Sequence, residues 1–95
     1  MDNSIFIKAK LLYALARRRK WGESHTAYEN MFKTLKSESL GKNSLKEATE
    51  LAEELFREGL IIKKPTSYGL QVSLNPYRAH EIKSIINDAL GINIS

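Results

Sequence analysis

The stretch from Ser44 to Leu74 changes its hydrophobic period once, and this change constrains the fold more than any other feature of the chain. Its first half repeats apolar residues with the period of a helix and ends at Gly59, where glycine adopts a left-handed C-cap without steric cost. Its second half alternates apolar and polar residues beside a loop that contains Pro and Gly, as a hairpin does. The sequence therefore predicts a helix followed directly by two antiparallel strands.

The helix in this stretch carries the clearest start signal. Ser44 and Glu47 have the spacing of a capping box, in which the hydroxyl and the carboxylate each accept from a free backbone amide. After this helix we predict strands at residues 60–62 and 70–74, joined by a loop of residues 63–69. The apolar stripe of the helix consists of Leu45, Ala48, Leu51, Ala52, Leu55 and Phe56.

Residues 5–20 form the first predicted helix, with Ser4 as its N-cap and Gly22 as its stop. Its end carries four consecutive cations, Arg17–Lys20. These side chains either complement the helix dipole and add solubility or grip a phosphate backbone, and both interpretations stay open at this point. Trp21, which follows, fits a plug at the edge of the core better than a ring that stacks on a base.

Two further helices complete the prediction. The second runs over residues 26–36, with Ser24 or Thr26 as its N-cap. The final helix has Asn75 as its N-cap and spans residues 76–90, beginning with proline at its first position. The predicted order of elements is thus helix, helix, helix, hairpin, helix.

The first helix is apolar over most of its circumference, whereas a surface helix carries a single apolar stripe. A chain of 95 residues and 10.8 kDa buries only about 60–65% of its unfolded surface. We therefore expect a homodimer in which the first and final helices meet a second subunit. The expected interface residues are Phe6, Ile7, Tyr13, Ile82, Ile85, Ile86 and Ala89.

The composition is that of one globular domain covering residues 1–95, with 42% hydrophobic and 27% charged residues. There is no cysteine, and the two histidines, His25 and His80, lie far apart, so we expect no metal and no cofactor. No catalytic constellation is visible, which predicts that the protein is not an enzyme. No apolar run approaches the ~18 residues of a membrane span, and no signal peptide is visible, which predicts a cytoplasmic protein.

The charge is unevenly distributed along the chain. The formal net charge is +4 and the isoelectric point is near 9.4. Residues 1–36 carry eight basic and three acidic side chains, whereas residues 37–60 carry three basic and six acidic ones. Local basic clusters on a basic domain suit a polyanionic partner such as nucleic acid.

Residues 43–74 resemble the third helix and wing of winged helix-turn-helix regulators of the MarR and PadR kind. The resemblance covers about a third of the chain and is carried by Leu-Phe-Arg-Glu-Gly-Leu-Ile-Ile-Lys-Lys at residues 55–64. It implies a mainly α fold with a small β-hairpin wing, arranged as a winged helix-turn-helix. It also implies that the terminal helix, residues 76–90, serves dimerisation.

The resemblance further implies a set of contacts to double-stranded DNA. In such folds the start of the third helix enters the major groove, and the wing lies along the backbone. Asn pairs with adenine, Lys with guanine or phosphate, and Glu accepts from the amino group of cytosine. The expected contacts are Lys33 and Lys36, then Lys42, Asn43, Ser44, Lys46, Glu47 and Thr49, and in the wing Lys63, Lys64, Thr66, Ser67 and Tyr68.

An acidic ridge on the third helix opposes this interpretation. Glu50, Glu54 and Glu58 share one helix face, with Glu53 beside them and Arg57 available to pair with it. Either the helix enters the groove by its tip, with the ridge pointing away, or the ridge binds another protein.

The expected function is that of a dimeric duplex-DNA-binding protein associated with the nucleoid. It would act as a transcription regulator or as a factor that organises a locus, for example in plasmid or chromosome partition. The alternative is a winged-helix protein–protein interaction module that uses the acidic third helix or the apolar first helix.

Overall fold

The computed structural model describes residues 4–33, 35 and 44–94, and within the last range the side chains of residues 45–94. The chain is mainly helical and carries a small three-stranded antiparallel sheet, which confirms the coarse prediction. Its elements are α1 (Ser4–Ala16), β1 (Thr26–Ala27), a 3-10 segment (Tyr28–Phe32), α2 (Ser44–Arg57), β2 (Ile61–Thr66), β3 (Gly69–Leu74), a second 3-10 segment (Pro76–Arg78) and α3 (Ala79–Leu90).

The hairpin is longer, and its loop shorter, than the sequence predicts. β2 pairs with β3 from Ile61 opposite Leu74 up to Thr66 opposite Gly69, so only Ser67 and Tyr68 remain in the turn. The Thr66 hydroxyl closes this turn, since it donates to the Gly69 carbonyl at 2.7 Å and accepts from the Tyr68 amide at 3.2 Å. The loop predicted at residues 63–69 is too long because Pro65 favours a loop by its local propensity, whereas an edge strand such as β2 tolerates proline.

The second predicted helix begins differently in the structure. Thr26 and Ala27 form β1, which pairs with Val72 and Gln71 of β3 and gives the strand order β1-β3-β2. The helical turn that follows is a 3-10 segment with no side-chain cap, and Ser24 lies before the strand. The predicted helix start at Thr26 is therefore wrong. These two residues pair with the open edge of β3, a partner that local periodicity does not reveal.

Helix α1 ends at Ala16, four residues before its predicted end. Arg17–Arg19 form a turn, in which Arg19 has a φ of 56°. The Arg18 guanidinium donates to the carbonyl of Ala14 at 2.8 Å, so one cation of the basic cluster caps the helix C-terminus. Lys20 then continues along β3 and accepts a backbone hydrogen bond from Leu74 at 2.8 Å.

The core surrounds α1, which packs against α2, α3, the first 3-10 segment and β3. Ile7, Ile82 and Ile86 of the expected dimer interface lie in this core and are buried by their own chain. These three side chains therefore offer no surface to a second subunit in this fold. Tyr13 and Ile85 are partly buried against the same core. Ala89 is half-buried and Phe6 is 39% exposed.

The chain ties the end of α2 to the start of the final helix through Asn75. Its side chain accepts from the Tyr77 amide at 3.0 Å, as the predicted N-cap should, and donates to the Gly59 carbonyl at 2.8 Å. Gly59 has a φ of 77°, which confirms the left-handed C-cap of α2. Arg78 adds a bond of 2.9 Å to the carbonyl of Glu58. The 3-10 turn that begins at Pro76 delays α3 to Ala79.

Lys8 joins α1 to the acidic side of α2. Its ammonium lies 3.1 Å from a carboxylate oxygen of Glu54 and 3.2 Å from one of Glu58, and its side chain is 15% exposed. Burial by itself lowers the pKa of Lys8, but the hydrogen bonds and charges of the two carboxylates outweigh it and raise the pKa above its ordinary value. The charged form of Lys8 therefore stabilises the fold at neutral pH.

We expect Lys8→Met to lower the free energy of unfolding at pH 7 by about 1 kcal/mol, because both carboxylates are partly exposed. Since the folded-state pKa is raised, this stabilisation is complete below the unfolded-state pKa of about 10.4 and is lost as pH rises through the folded value. Urea unfolding at pH 7 and above pH 11 measures the difference. A difference that persists unchanged at high pH would contradict the ion-pair explanation.

Candidate nucleic-acid interface

The hairpin places its tip residues in solvent. The Tyr68 side chain is 96% exposed, and Ser67 beside it is also exposed. Thr66 is among the predicted DNA contacts, but its hydroxyl donates to the Gly69 carbonyl and so has no proton to offer a phosphate. The turn itself positions Tyr68 through the backbone, so the phenol ring has no part in holding the hairpin together. Tyr68 and Ser67 are therefore available to a partner.

Lys63 and Lys64 lie on opposite faces of β2, although the sequence assigns them the same role. The ammonium of Lys63 lies 3.4 Å from the Glu53 carboxylate and 4.4 Å from the centroid of the Phe56 ring. Lys63 thus fastens the hairpin to α2 by an ion pair and a cation–π contact. Lys64 is exposed and forms no ion pair with any residue that the structure describes.

The first turns of α2 present a mixed surface. Lys46, Glu47 and Thr49 are exposed, and so is Lys33 after the first 3-10 segment. The Thr49 hydroxyl donates to the Leu45 carbonyl at 2.9 Å, which uses its proton inside the helix. Of the other predicted contacts, Lys36, Lys42, Asn43 and the side chain of Ser44 lie outside the described residues.

The acidic ridge is partly neutralised within the chain, because Lys8 and Lys63 supply two positive charges to three of its four carboxylates. Glu54 and Glu58 both bind Lys8 of α1, and Glu53 binds Lys63 of the hairpin. The sequence offers Arg57 as the partner of Glu53, but Glu53 pairs with Lys63 instead, because the hairpin folds back along α2. Within the described ranges, Glu50 and Glu47 form no ion pair.

A small apolar hollow lies between the first 3-10 segment and the start of α2. It has a volume of about 160 Å³ and is lined by Tyr28, Glu29, Phe32, Leu45 and Thr49. Burial raises the pKa of Tyr28, and the charges of Glu53 and Glu29 raise it further, so the phenol is neutral at physiological pH. The sequence placed Leu45 in the buried stripe and so missed this hollow.

A larger groove runs along the outer face of the sheet. It has a volume of about 450 Å³ and is lined by residues 62–64 and Ser73 of the sheet, by Gly22, Glu23 and His25, and by residues 75–77. Tyr77, one of these lining residues, is 95% exposed. Tyr77 is absent from the contacts that the sequence predicts. The Asn-Pro-Tyr run was its only signal, since the Asn75 cap turns the next residues outward.

The described residues also show how acidic and histidine side chains are grouped and how apolar the helices are. Across residues 4–33, 35 and 44–94, no group of three His, Asp or Glu side chains is placed to hold a metal ion. Over the same residues, no helix combines the length and the apolar character that crossing a bilayer requires.

No protein-family model, curated protein or solved structure matches the chain at a significant level.

The two lysines of β2 should differ in their effect on stability. Lys63→Ala removes an ion pair and a cation–π contact, and we expect it to lower the free energy of unfolding by about 1 kcal/mol. Lys64→Ala is the matched control and should leave the free energy of unfolding nearly unchanged. Thermal melting of both variants compares them directly, and equal effects would contradict the separate roles.

Proposed function

We propose that the chain is a dimeric, duplex-DNA-binding protein of the winged-helix type. The start of α2 enters the major groove, and the β2–β3 hairpin lies along the backbone as the wing. The protein acts as a transcription regulator or as a factor that organises a DNA locus. The observation that carries this proposal is the exposed, positively charged hairpin, with Lys64 and Tyr68 in solvent, directly after a capped amphipathic helix.

The order of the sheet supports the assignment of the hairpin as a wing. β1 pairs with β3 and leaves β2 at the other edge, so the hairpin is braced on one side and free on the other. The tip residues Ser67 and Tyr68 are exposed and pack against no core residue. Lys64 forms no ion pair with an acidic group that the structure describes. Such side chains are suited to phosphate oxygens and to the edge of a groove.

The ion pairs of Lys8 and Lys63 support entry of α2 by its tip. Glu54 and Glu58 are held against α1, and Glu53 is held against the hairpin. Glu53 and Glu54 belong to the second half of α2, and Glu58 follows its last residue, so all three lie one helical turn or more beyond Thr49. The two cations offset part of the repulsion that these three carboxylates would exert on the phosphates.

We expect binding of duplex DNA to fall steeply with salt. Each neutralised phosphate contributes a slope of about −0.9 to log affinity against log salt, so two contacts give about a tenfold loss between 50 and 200 mM. Lys64→Ala should weaken binding to all sequences alike and reduce the slope by about 0.9 per lysine–phosphate contact. Titration of labelled duplexes at both salt concentrations measures each quantity.

Lys63→Ala is the control for charge, because Lys63 already neutralises Glu53 within the chain. It should change the slope less than Lys64→Ala does. An affinity that does not depend on salt, or the absence of any retarded duplex, would refute the DNA-binding proposal.

A second candidate is a protein–protein interaction module. It is favoured by Glu47 and Glu50, which are exposed on α2 and form no ion pair in the part of the chain that the structure describes. Glu54 and Glu58, which the sequence included in this surface, are bound to Lys8 instead. A basic partner would therefore meet the first half of α2, and the salt titration separates the two candidates.

The proposed dimer must use the residues that its own core leaves uncovered. Phe6 is 39% exposed at the start of α1, and Ile5 beside it is 54% exposed. We expect light scattering at micromolar concentration to give about twice the chain mass of 10.8 kDa, and Phe6→Glu to lower it. Ile86→Glu should instead unfold the chain, because Ile86 is buried. A monomeric wild-type protein would refute the dimer.

A further inference from the structure

The apolar surface at the start of α2 is unusual for a helix tip that is otherwise charged. Leu45 is 46% exposed and stands beside the exposed Lys46 and Glu47. A single exposed leucine is common on protein surfaces. Here, however, Leu45 borders the hollow of about 160 Å³ that Tyr28 and Phe32 also line. The exposed leucine therefore belongs to a shaped apolar surface.

Thr49 extends this surface by one helical turn. It lies four residues after Leu45, so the two side chains are neighbours on one helix face. Its hydroxyl proton is bound to the Leu45 carbonyl at 2.9 Å. Thr49 can therefore offer a partner its methyl group and an acceptor oxygen, but it has no proton to donate.

The charges around the hollow decide what can occupy it. Glu29 lines the hollow, and Glu47 lies on the same first turns of α2 as Leu45. Carboxylates at this position repel phosphate groups, so the backbone of a duplex is not the occupant. The volume is also well below the ~300 Å³ at which pockets for small molecules begin. A small apolar group on the edge of a base satisfies both conditions.

We propose that Leu45 and Thr49 form a contact site for the C5-methyl groups of thymine. Among the bases of DNA, thymine alone presents a methyl group in the major groove, and apolar side chains and the threonine methyl recognise it. This inference rests on the proposed function, in which the start of α2 enters that groove. It names Leu45 and Thr49 as specificity-determining residues, and it makes the preferred site rich in thymine at the positions that α2 covers.

Replacing thymine by uracil tests the proposal, because it removes the methyl group and leaves base pairing and phosphate charge unchanged. Selection from duplexes with a randomised centre first gives the preferred site. That site is then synthesised with uracil at one thymine position at a time. Burial of one methyl group corresponds to about a fourfold change in affinity. We expect that loss at one or two positions with the wild-type protein.

The variants identify the side chains responsible. Leu45→Ala and Thr49→Ser should bind thymine and uracil duplexes with more nearly equal affinity, and Thr49→Ser keeps the hydroxyl that bonds to the Leu45 carbonyl. Both residues are exposed, so thermal melting should show folded proteins. Lys64→Ala is the matched control, since it should weaken both duplexes equally and keep their affinity ratio.

The outcomes separate this inference from the proposed function. If no duplex is bound, the DNA-binding function itself is refuted. If duplexes are bound with full salt dependence but uracil matches thymine at every position, only the thymine site is refuted. A ratio that Leu45→Ala and Thr49→Ser both leave unchanged would also refute it, because the methyl would then be read by other residues.

Discussion

The junction at Gly59 and Asn75 fixes how the helices and the hairpin are placed relative to one another. Gly59 turns the chain out of α2 with a φ of 77°, and Asn75 donates to its carbonyl from the far end of β3. The backbone N–H of Asn75 also donates to the Leu60 carbonyl at 3.0 Å. The two ends of the hairpin therefore lie side by side, and the bonds of Asn75 hold the end of α2, the sheet and the segment before α3 together.

The sequence predicts the elements on either side of this junction because their signals are local. The C-cap glycine, the Asn75 cap and the alternation in β3 each depend on residues within a few positions of one another. The sequence does not predict β1, because Thr26 and Ala27 pair with Val72 and Gln71, far along the chain. It also misplaces Ile82 and Ile86, since an apolar stripe looks the same whether its own core or a second subunit covers it.

The candidate site is predictable as a region but not as individual roles. The run Lys63-Lys64 marks the hairpin as basic, yet only the pleat of β2 decides that Lys63 turns towards Phe56 while Lys64 stays in solvent. In the same way, Lys8 is one of the eight basic residues of residues 1–36, but its charge is already paired with Glu54 and Glu58. Net charge therefore overstates what the fold can offer to a polyanion.

These ion pairs give α2 and the β2–β3 hairpin different roles in the proposed interface. Glu53, Glu54 and Glu58 share two cations, Lys63 of the hairpin and Lys8 of α1, while Glu47 and Glu50 remain exposed beside Leu45 and Thr49. A helix tip of this composition attracts phosphate weakly, so attraction must come from the hairpin, and α2 can contribute selectivity among bases. Such a division requires the two elements to keep a fixed spacing. The ion pair of Lys63 with Glu53 supplies that link on one side, and the Gly59–Asn75 junction supplies it on the other.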